Sequence, residues 1–223
     1  MVLSNRTFDI GTFIAISLFT PLGGWLSKKL GMPLWPHGWP LLLQALLALV
    51  LVELPWYWIH RVEHTVPLLW RVHSVHHSSR RIYWWNLARN HPFDNLASAA
   101  ASIALLALLG VGEGTLAIVA AFSGAHAMLQ HSNADLRTGP LDVILATARV
   151  HRWHHSPHLH ESQANYSPTL TLWDYVFGTR YFDAKRLPPE DVGLGLDGEG
   201  FPEGYLDQVM VPWAARWRKS KPA

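Results

Sequence analysis

Four apolar stretches divide the chain. The first runs from about Ile10 to Leu26 and is interrupted by Pro21. The second runs from about Pro40 to Ile59 and holds Gln44, Glu53 and Pro55. The third covers Leu96 to Val111 and the fourth Thr115 to Gln130. A straight membrane-spanning helix needs roughly 20 apolar residues. The third and fourth stretches are shorter, and only Gly112, Glu113 and Gly114 join them. That spacing predicts a tight helical hairpin that spans with help from its flanks. A buried hairpin of a soluble protein gives the same pattern, but four such segments together in a charge-poor chain favour insertion. The predicted fold is all-α: an integral membrane bundle of about four transmembrane helices (10–26, 40–59, 96–111 and 115–130) with a His-rich helical cap. Residues 1–183 form one domain. Residues 184–223 form a loop-rich tail, since Ala184 to Tyr205 is rich in Gly, Pro and acids. Val209 to Lys219 is predicted as a short amphipathic helix with Trp213 and Trp217 at the interface.

Composition strengthens the membrane reading. The 223 residues are 49% hydrophobic and 15% charged, against about 25% charged in a typical soluble domain. The twelve tryptophans suit a membrane–water interface. The first stretch lacks a basic leader run and a small-x-small cleavage site, so it reads as a retained helix and not a signal peptide. If all four stretches span, one side carries Lys28 and Lys29, two of 18 Lys and Arg residues, and the other side the remaining 16. The positive-inside rule then puts both termini and the large polar segments in the cytoplasm. A net charge of +2 is too small to imply nucleic acid. The basic, aromatic run Arg80 to Trp85 reads better as membrane-surface contact.

There is no cysteine, which excludes disulfides, zinc–thiolate sites, iron–sulfur clusters and a cysteine nucleophile. Any metal is held by nitrogen or oxygen. Fourteen histidines lie within the chain, and most fall in three groups: His60 with His64, His73 with His76 and His77, and His151 with His154 and His155. The last two share the pattern HxxHH. On a helix, neighbours at i,i+3 and i,i+4 lie on one face, so each group can aim two or three imidazoles at one point. A fourth element is His126 with His131, about 140° apart on a regular helix. Both reach one site only if the helix ends or bulges between them, which favours His131. His37, His158 and His160 read as ordinary isolated histidines, and His91 is left open. Eight to ten imidazoles are too many for one ion and suit two. Carboxylate pairs of the Glu-x-x-His type are missing, so the ligand set is almost all nitrogen. Glu53, Glu63, Asp94 and Asp174 are candidates for holding imidazole N–H groups, with ordinary helix-cap or surface roles as the alternative.

The ordered set Trp56-Tyr-Trp-Ile-His60-Arg-Val-Glu-His64, Trp70-Arg-Val-His73-Ser-Val-His76-His77-Ser, His131-Ser-Asn133, His151-Arg-Trp-His154-His155 and Asn165-Tyr-Ser-Pro…Trp173-Asp174…Phe177-Gly178-Thr179 resembles the fatty acid hydroxylase/sterol desaturase superfamily. It covers Glu53 to Tyr181. The chain departs from many relatives at Ser167-Pro168, where a glycine follows the Asn-Tyr pair. The resemblance implies a cytosolic cap holding two iron ions (Fe2+/Fe3+), dioxygen as co-substrate and an oxidised lipid C–H bond. Electrons would come from a separate cytochrome b5-like or ferredoxin-like donor and its reductase. The expected catalytic and metal residues are His60, His64, His73, His76, His77, His131, His151, His154 and His155, with His126 as a further metal candidate. Tyr57, Trp84, Trp85, Tyr166 and Trp173 are candidates for the substrate entrance, though packing explains them equally well. Sterol, fatty acyl and related lipids, and hydroxylation or desaturation, all stay open. Two other classes are a membrane zinc hydrolase, although HExxH and GxSxG are missing, and a metal transporter, which calls for ligands nearer the bilayer midplane.

Overall fold

A computed structural model describes residues 2–134 and 136–214. The elements in order are α1 (Val2–Leu30), α2 (Leu41–Thr65), α3 (Pro67–His77), α4 (Pro92–Leu109), α5 (Glu113–Gln130), α6 (Leu141–Ile144), α7 (Ala148–His154), α8 (Leu159–Ser162), α9 (Leu172–Val176) and α10 (Tyr205–Val209). Single turns of 3-10 helix add Trp84–Ala88, Gly195–Gly198 and Val211–Trp213. Among the described residues the only β pairing outside these is an isolated antiparallel bridge between Leu145 and Leu170. The protein is all-helical, as the pattern predicts.

Among the described residues three helices are long and apolar enough to cross a membrane: α1 over Asp9–Leu30, α2, and α4. The fourth predicted span, α5, is a regular 18-residue helix that falls outside this class. Glu113 in its first turn and His126 and Gln130 in its last turns dilute its apolar character. The predicted amphipathic helix over Val209 to Lys219 lies within the described residues only as far as position 214. Val209 ends α10 and Val211–Trp213 is 3-10 helix, while residues 215–223, including Trp217, lie outside the described part.

Local chemistry sets the boundaries that matter. Pro67 pushes Val66 into extended backbone (φ −101°, ψ 119°), which ends α2, and Pro67 then starts α3 at a position that needs no N–H donor. A one-residue turn therefore folds α3 back beside the end of α2, and His73 and His77 meet His60 and His64. The side chain of His91 caps α4 by accepting from the Phe93 N–H at 3.1 Å. Gly110, in the left-handed region at φ +73°, closes the same helix.

The apolar core lies at the opposite end of the bundle. There Trp35, Ala45, Ala48, Leu49, Leu106, Val111 and Val119 cluster. Gln44 ties the loop before α2 over this end: its amide oxygen accepts from the Trp35 indole at 2.7 Å, and its amide nitrogen donates to the Trp39 carbonyl at 2.8 Å. Helices α1 and α4 pack along their length. A Cβ on Gly23 would collide with the backbone oxygen of Leu108, and one on Gly11 would sit 2.9 Å from that of Leu96. Gly24 faces open space.

This close approach separates two neighbouring glycines. Gly24→Ala is expected to raise stability by up to about 1 kcal/mol through helix propensity. Gly23→Ala is expected to lower it by about 1–3 kcal/mol through overpacking. Thermal unfolding of the detergent-solubilised protein measures both. Equal stability of the two variants contradicts the α1–α4 contact.

Candidate metal centre

The histidines of the separated sequence groups gather into two adjacent sets. In the first, donor atoms of His60 and His64 from α2, His73 and His77 from α3, and His154 from α7 all lie within 4.8 Å of one another. In the second, the same holds for His76 from α3, His131 just after α5, and His151 and His155 from the end of α7. Every one of the nine is buried. Each HxxHH box is thus split between two points instead of serving one. In α3, His73 and His77 go to the first set and His76 to the second. In α7 the division is reversed: His151 and His155 go to the second set and His154 to the first. The i,i+4 pair shares one direction, and the third imidazole is rotated out of it. The two sets touch where His77 stacks on His155, with ring centroids 4.3 Å apart.

One ring nitrogen of several imidazoles is anchored and the other is left bare. His60 Nδ1 donates to the Tyr166 carbonyl at 2.7 Å, His154 Nδ1 to the Ala164 carbonyl at 2.7 Å, and His131 Nδ1 to the Ala127 carbonyl at 2.9 Å. His73 Nδ1 meets Asp94 at 3.0 Å, with Glu63 at 3.4 Å. Such an anchor fixes the proton on Nδ1 and leaves the Nε2 lone pair facing inward. The Nε2 atoms of His60, His73, His77 and His154, and both ring nitrogens of His64, are buried with no hydrogen-bond partner. Unsatisfied buried polar atoms are costly, and these all belong to the first set.

In the second set, Nε2 of His131 lies 3.0 Å from that of His151 and 3.4 Å from that of His76, and the Nε2 atoms of His151 and His155 are 2.9 Å apart. Nitrogens bound to one ion about 2.1 Å away, at octahedral or tetrahedral angles, lie about 3.0 to 3.4 Å from each other. The donor set therefore fits a first-row transition metal in each group, and imidazole suits iron, copper, nickel or zinc.

The loop after α8 supplies the two carbonyl anchors of the first set. Asn165 adopts a left-handed backbone (φ 57°), a conformation Asn tolerates better than most residues. Its neighbours on either side, Ala164 and Tyr166, present the carbonyls that hold His154 and His60. The Asn165 side chain fixes the turn, donating to Tyr181 O at 2.9 Å and accepting from Tyr181 N at 3.0 Å. Asp174 accepts from the backbone N–H groups of Tyr166 (2.8 Å) and Ser167 (3.0 Å) and from the Thr179 hydroxyl (2.7 Å). Of the four carboxylates singled out in the sequence, Asp94 and Glu63 face an imidazole. Glu53 and Asp174 instead hold the backbone of this loop, since Glu53 accepts from Leu170 N at 3.0 Å. Backbone carbonyl anchors have no signature in a sequence. The Asn-Tyr pair was the sole pointer to them.

The other candidates are distributed differently. His126 is buried, but it joins neither set. Helix α5 runs without a bulge through Gln130, so the i,i+5 spacing turns its ring away from that of His131. His91 has both ring nitrogens engaged, by the Phe93 N–H and by the Val209 carbonyl at 3.0 Å. His37, His158 and His160 are exposed. Tyr57 and Tyr166 are buried, with Tyr166 beside His60, His64 and His154. Trp84 and Trp85 stack on each other at the surface.

The expected tail is drawn into the centre. Gly193 N–H donates to the His155 carbonyl at 3.0 Å. A Cβ at Gly193, whose φ is +118°, would lie 3.1 Å from Ser79 O and 3.4 Å from His77 O. Gln208 is buried and accepts from Arg89 at 2.8 Å and from Ser78, next to His77, at 3.3 Å.

Burial sets the charge state of the imidazoles. It pushes His154 down to about 3 and His131 down to about 4. Burial first, and neighbouring imidazoles second, hold His76, His77, His151 and His155 well below the usual histidine value of 6.5. At neutral pH all are uncharged, the form that binds metal.

The family model described as fatty acid hydroxylase matches residues 45–179. The chain is 38% identical over 185 residues to an ornithine lipid hydroxylase of Rhizobium tropici, covering 83% of this chain and 55% of that protein. It is 33% identical over 133 residues to an alkylglycerol monooxygenase of Danio rerio, covering 60% of this chain and 29% of that one. It is 31% identical over 180 residues to a very-long-chain aldehyde decarbonylase of Oryza sativa subsp. indica, covering 80% and 61%. The chain therefore spans less than two thirds of each of these relatives. No solved structure matches it.

The depressed imidazoles predict how metal-free protein responds to acid. Above about pH 6.5, folded and unfolded chains both carry these groups neutral, and they add no pH dependence. Below it the unfolded chain takes up protons that the folded one refuses, down to about 3 for His154 and about 4 for His131. Stability is expected to fall by about 1.4 kcal/mol per group for each pH unit. A melting midpoint of the metal-free protein that is flat from pH 7 to pH 5 contradicts this burial.

Proposed function

The chain belongs to the fatty acid hydroxylase family, and from that premise we propose that it is a membrane di-iron oxygenase acting on an unactivated C–H bond of a lipid. The observation that carries the proposal is the pairing of two all-imidazole sets, side by side and buried, with unpartnered nitrogens in the first and Nε2 atoms 2.9 to 3.4 Å apart in the second. His60, His64, His73, His77 and His154 would hold one iron, and His76, His131, His151 and His155 the other. When bound, the two ions supply dioxygen-dependent oxidation, with electrons from a separate cytochrome b5-like or ferredoxin-like donor and its reductase.

The protein's own part is positioning and exclusion of water. Carbonyls of Ala164 and Tyr166 and the carboxylate of Asp94 keep protons on the outer nitrogens of His154, His60 and His73, so their inner lone pairs stay free. Tyr166 closes the first set on the side of α2. The burial that keeps the imidazoles neutral also keeps bulk water from competing for the reacting centre. A relative named as an ornithine lipid hydroxylase favours an acyl lipid with a polar head over a sterol as substrate, and hydroxylation over desaturation. In this reading α1, α2, α4 and, with help from its flanks, α5 cross the bilayer. The His-bearing helices form a cap on the cytoplasmic side, together with both termini.

Iron-loaded protein is expected to hold two irons per chain by elemental analysis. His154→Ala and His76→Ala are each expected to bind fewer, and Asp94→Asn to lose about 10- to 100-fold in metal affinity or activity. In cells, expression is expected to add one oxygen to an acyl lipid by mass spectrometry, an outcome His154→Ala abolishes. Wild-type protein that is folded yet holds no iron, zinc or other transition metal contradicts the proposal.

A further inference from the structure

Two excursions of the chain leave the metal centre and return to it. One runs from His131 through α6 to His151. The other runs from Tyr166, beside His60, through α9 to Thr179, whose hydroxyl meets Tyr57 at 2.8 Å. The two are tied together. Ala146 N–H donates to Thr169 O at 2.7 Å and Thr171 N–H to Ile144 O at 2.9 Å, around the Leu145–Leu170 bridge.

The exposed faces of α6 and α9 carry no charged side chain; the exposed Arg137 lies before α6. Leu141, Val143, Ile144, Leu172, Tyr175 and Val176 are between 40% and 60% exposed. The acidic residues of the same helices, Asp142 and Asp174, are turned inward and buried. Asp142 accepts from Thr147 at 2.6 Å, and Asp174 accepts from the loop backbone as described.

Their depth follows from α2. The Trp173 indole donates to Val50 O at 3.1 Å, and Val50 lies ten residues before His60, about 15 Å along the helix. Phe177 stacks on Tyr57 and meets Trp58 edge-on. Helix α9 therefore runs alongside α2 over the stretch where α2 is apolar enough to sit in a membrane. Non-helical backbone is tolerated at such depth only where its polar groups are satisfied inside the protein. Two buried polar side chains meet that need. Gln130 donates its amide nitrogen to Ala146 O and Pro168 O, both at 2.9 Å. Glu53 accepts from Leu170 N–H.

We infer that α6 and α9 form a re-entrant, membrane-embedded pair whose outer face contacts the acyl chains of the leaflet on the metal side. Glu53 and Gln130 are the positioning residues that satisfy its backbone. The inference rests on α2 crossing the bilayer, and continuity with the lipid-facing side of α2 commits the surface to lipid over another protein. The same loop touches the metal set at Tyr166 and bilayer depth at Trp173, so it borders the shortest path from the leaflet to the centre.

The chain has no cysteine, so single cysteines introduced at Ile144 and Val176 each take one spin label. The protein is reconstituted in vesicles of phosphatidylcholine and phosphatidylglycerol. Collision rates with dioxygen, which partitions into lipid, and with a water-soluble nickel chelate are then compared. Leu46→Cys on α2 and Leu187→Cys in the loop after the matched region, both well exposed, set the lipid and aqueous limits. Labels at 144 and 176 are expected to rank with Leu46, with a several-fold higher ratio of oxygen to nickel collisions than at Leu187. Either label ranking with Leu187 overturns the inference while leaving the metal centre untouched. If Leu46 itself ranks with Leu187, the membrane reading of α2 fails, and this inference fails with it.

Discussion

Nine imidazoles share one buried volume with few counter-charges to stabilise them as cations, and the rest of the molecule is built around that fact. An imidazole out of water has two ways to avoid a large free-energy cost: hydrogen-bond both nitrogens or bind a metal. Here the outer nitrogens of His60, His73, His131 and His154 are satisfied by the protein, and the inner ones of His60, His73 and His154 are not. The fold thus holds the rings in place while leaving lone pairs free for an ion, and an ion bound there would contribute to the free energy of folding.

Rigidity around the centre comes from short-range devices. A single residue between α2 and α3 sets two pairs of histidines face to face. One left-handed asparagine aims the carbonyls on both its sides at two different imidazoles. A glycine with positive φ lets the C-terminal segment pass beside the ends of both HxxHH boxes, where a Cβ would crowd the carbonyls of Ser79 and His77. Each device works at the scale of one or two residues, so the centre tolerates little displacement.

The interior is polar at one end and apolar at the other. The Trp35–Leu106 cluster supplies hydrophobic burial far from the histidines. Near the centre, buried Glu53, Gln130, Asp174 and Asn165 satisfy backbone that is not helical. This division lets a loop-rich region sit against a helical bundle with side chains satisfying the peptide groups of Ala146, Pro168 and Leu170. It also brings the lipid-facing surface and the metal sets to opposite ends of one loop, Tyr166 to Trp173.

Much of this was legible in the residues. Apolar length determined the all-helical character and three of the four expected spans, because a helix satisfies its own backbone and needs only a continuous apolar face. The spacing of His60, His64, His73, His76, His77, His151, His154 and His155 singled out imidazoles that the fold brings together, because i,i+3 and i,i+4 neighbours share a side of a helix. Tertiary structure alone decided how they are shared. It divided each HxxHH box between two points, and it set Glu53 and Asp174 against loop backbone instead of imidazoles. It also tied the C-terminal segment to the ends of both HxxHH boxes. Those outcomes depend on contacts between residues up to 130 positions apart and on backbone carbonyls, which every residue possesses and no sequence pattern distinguishes.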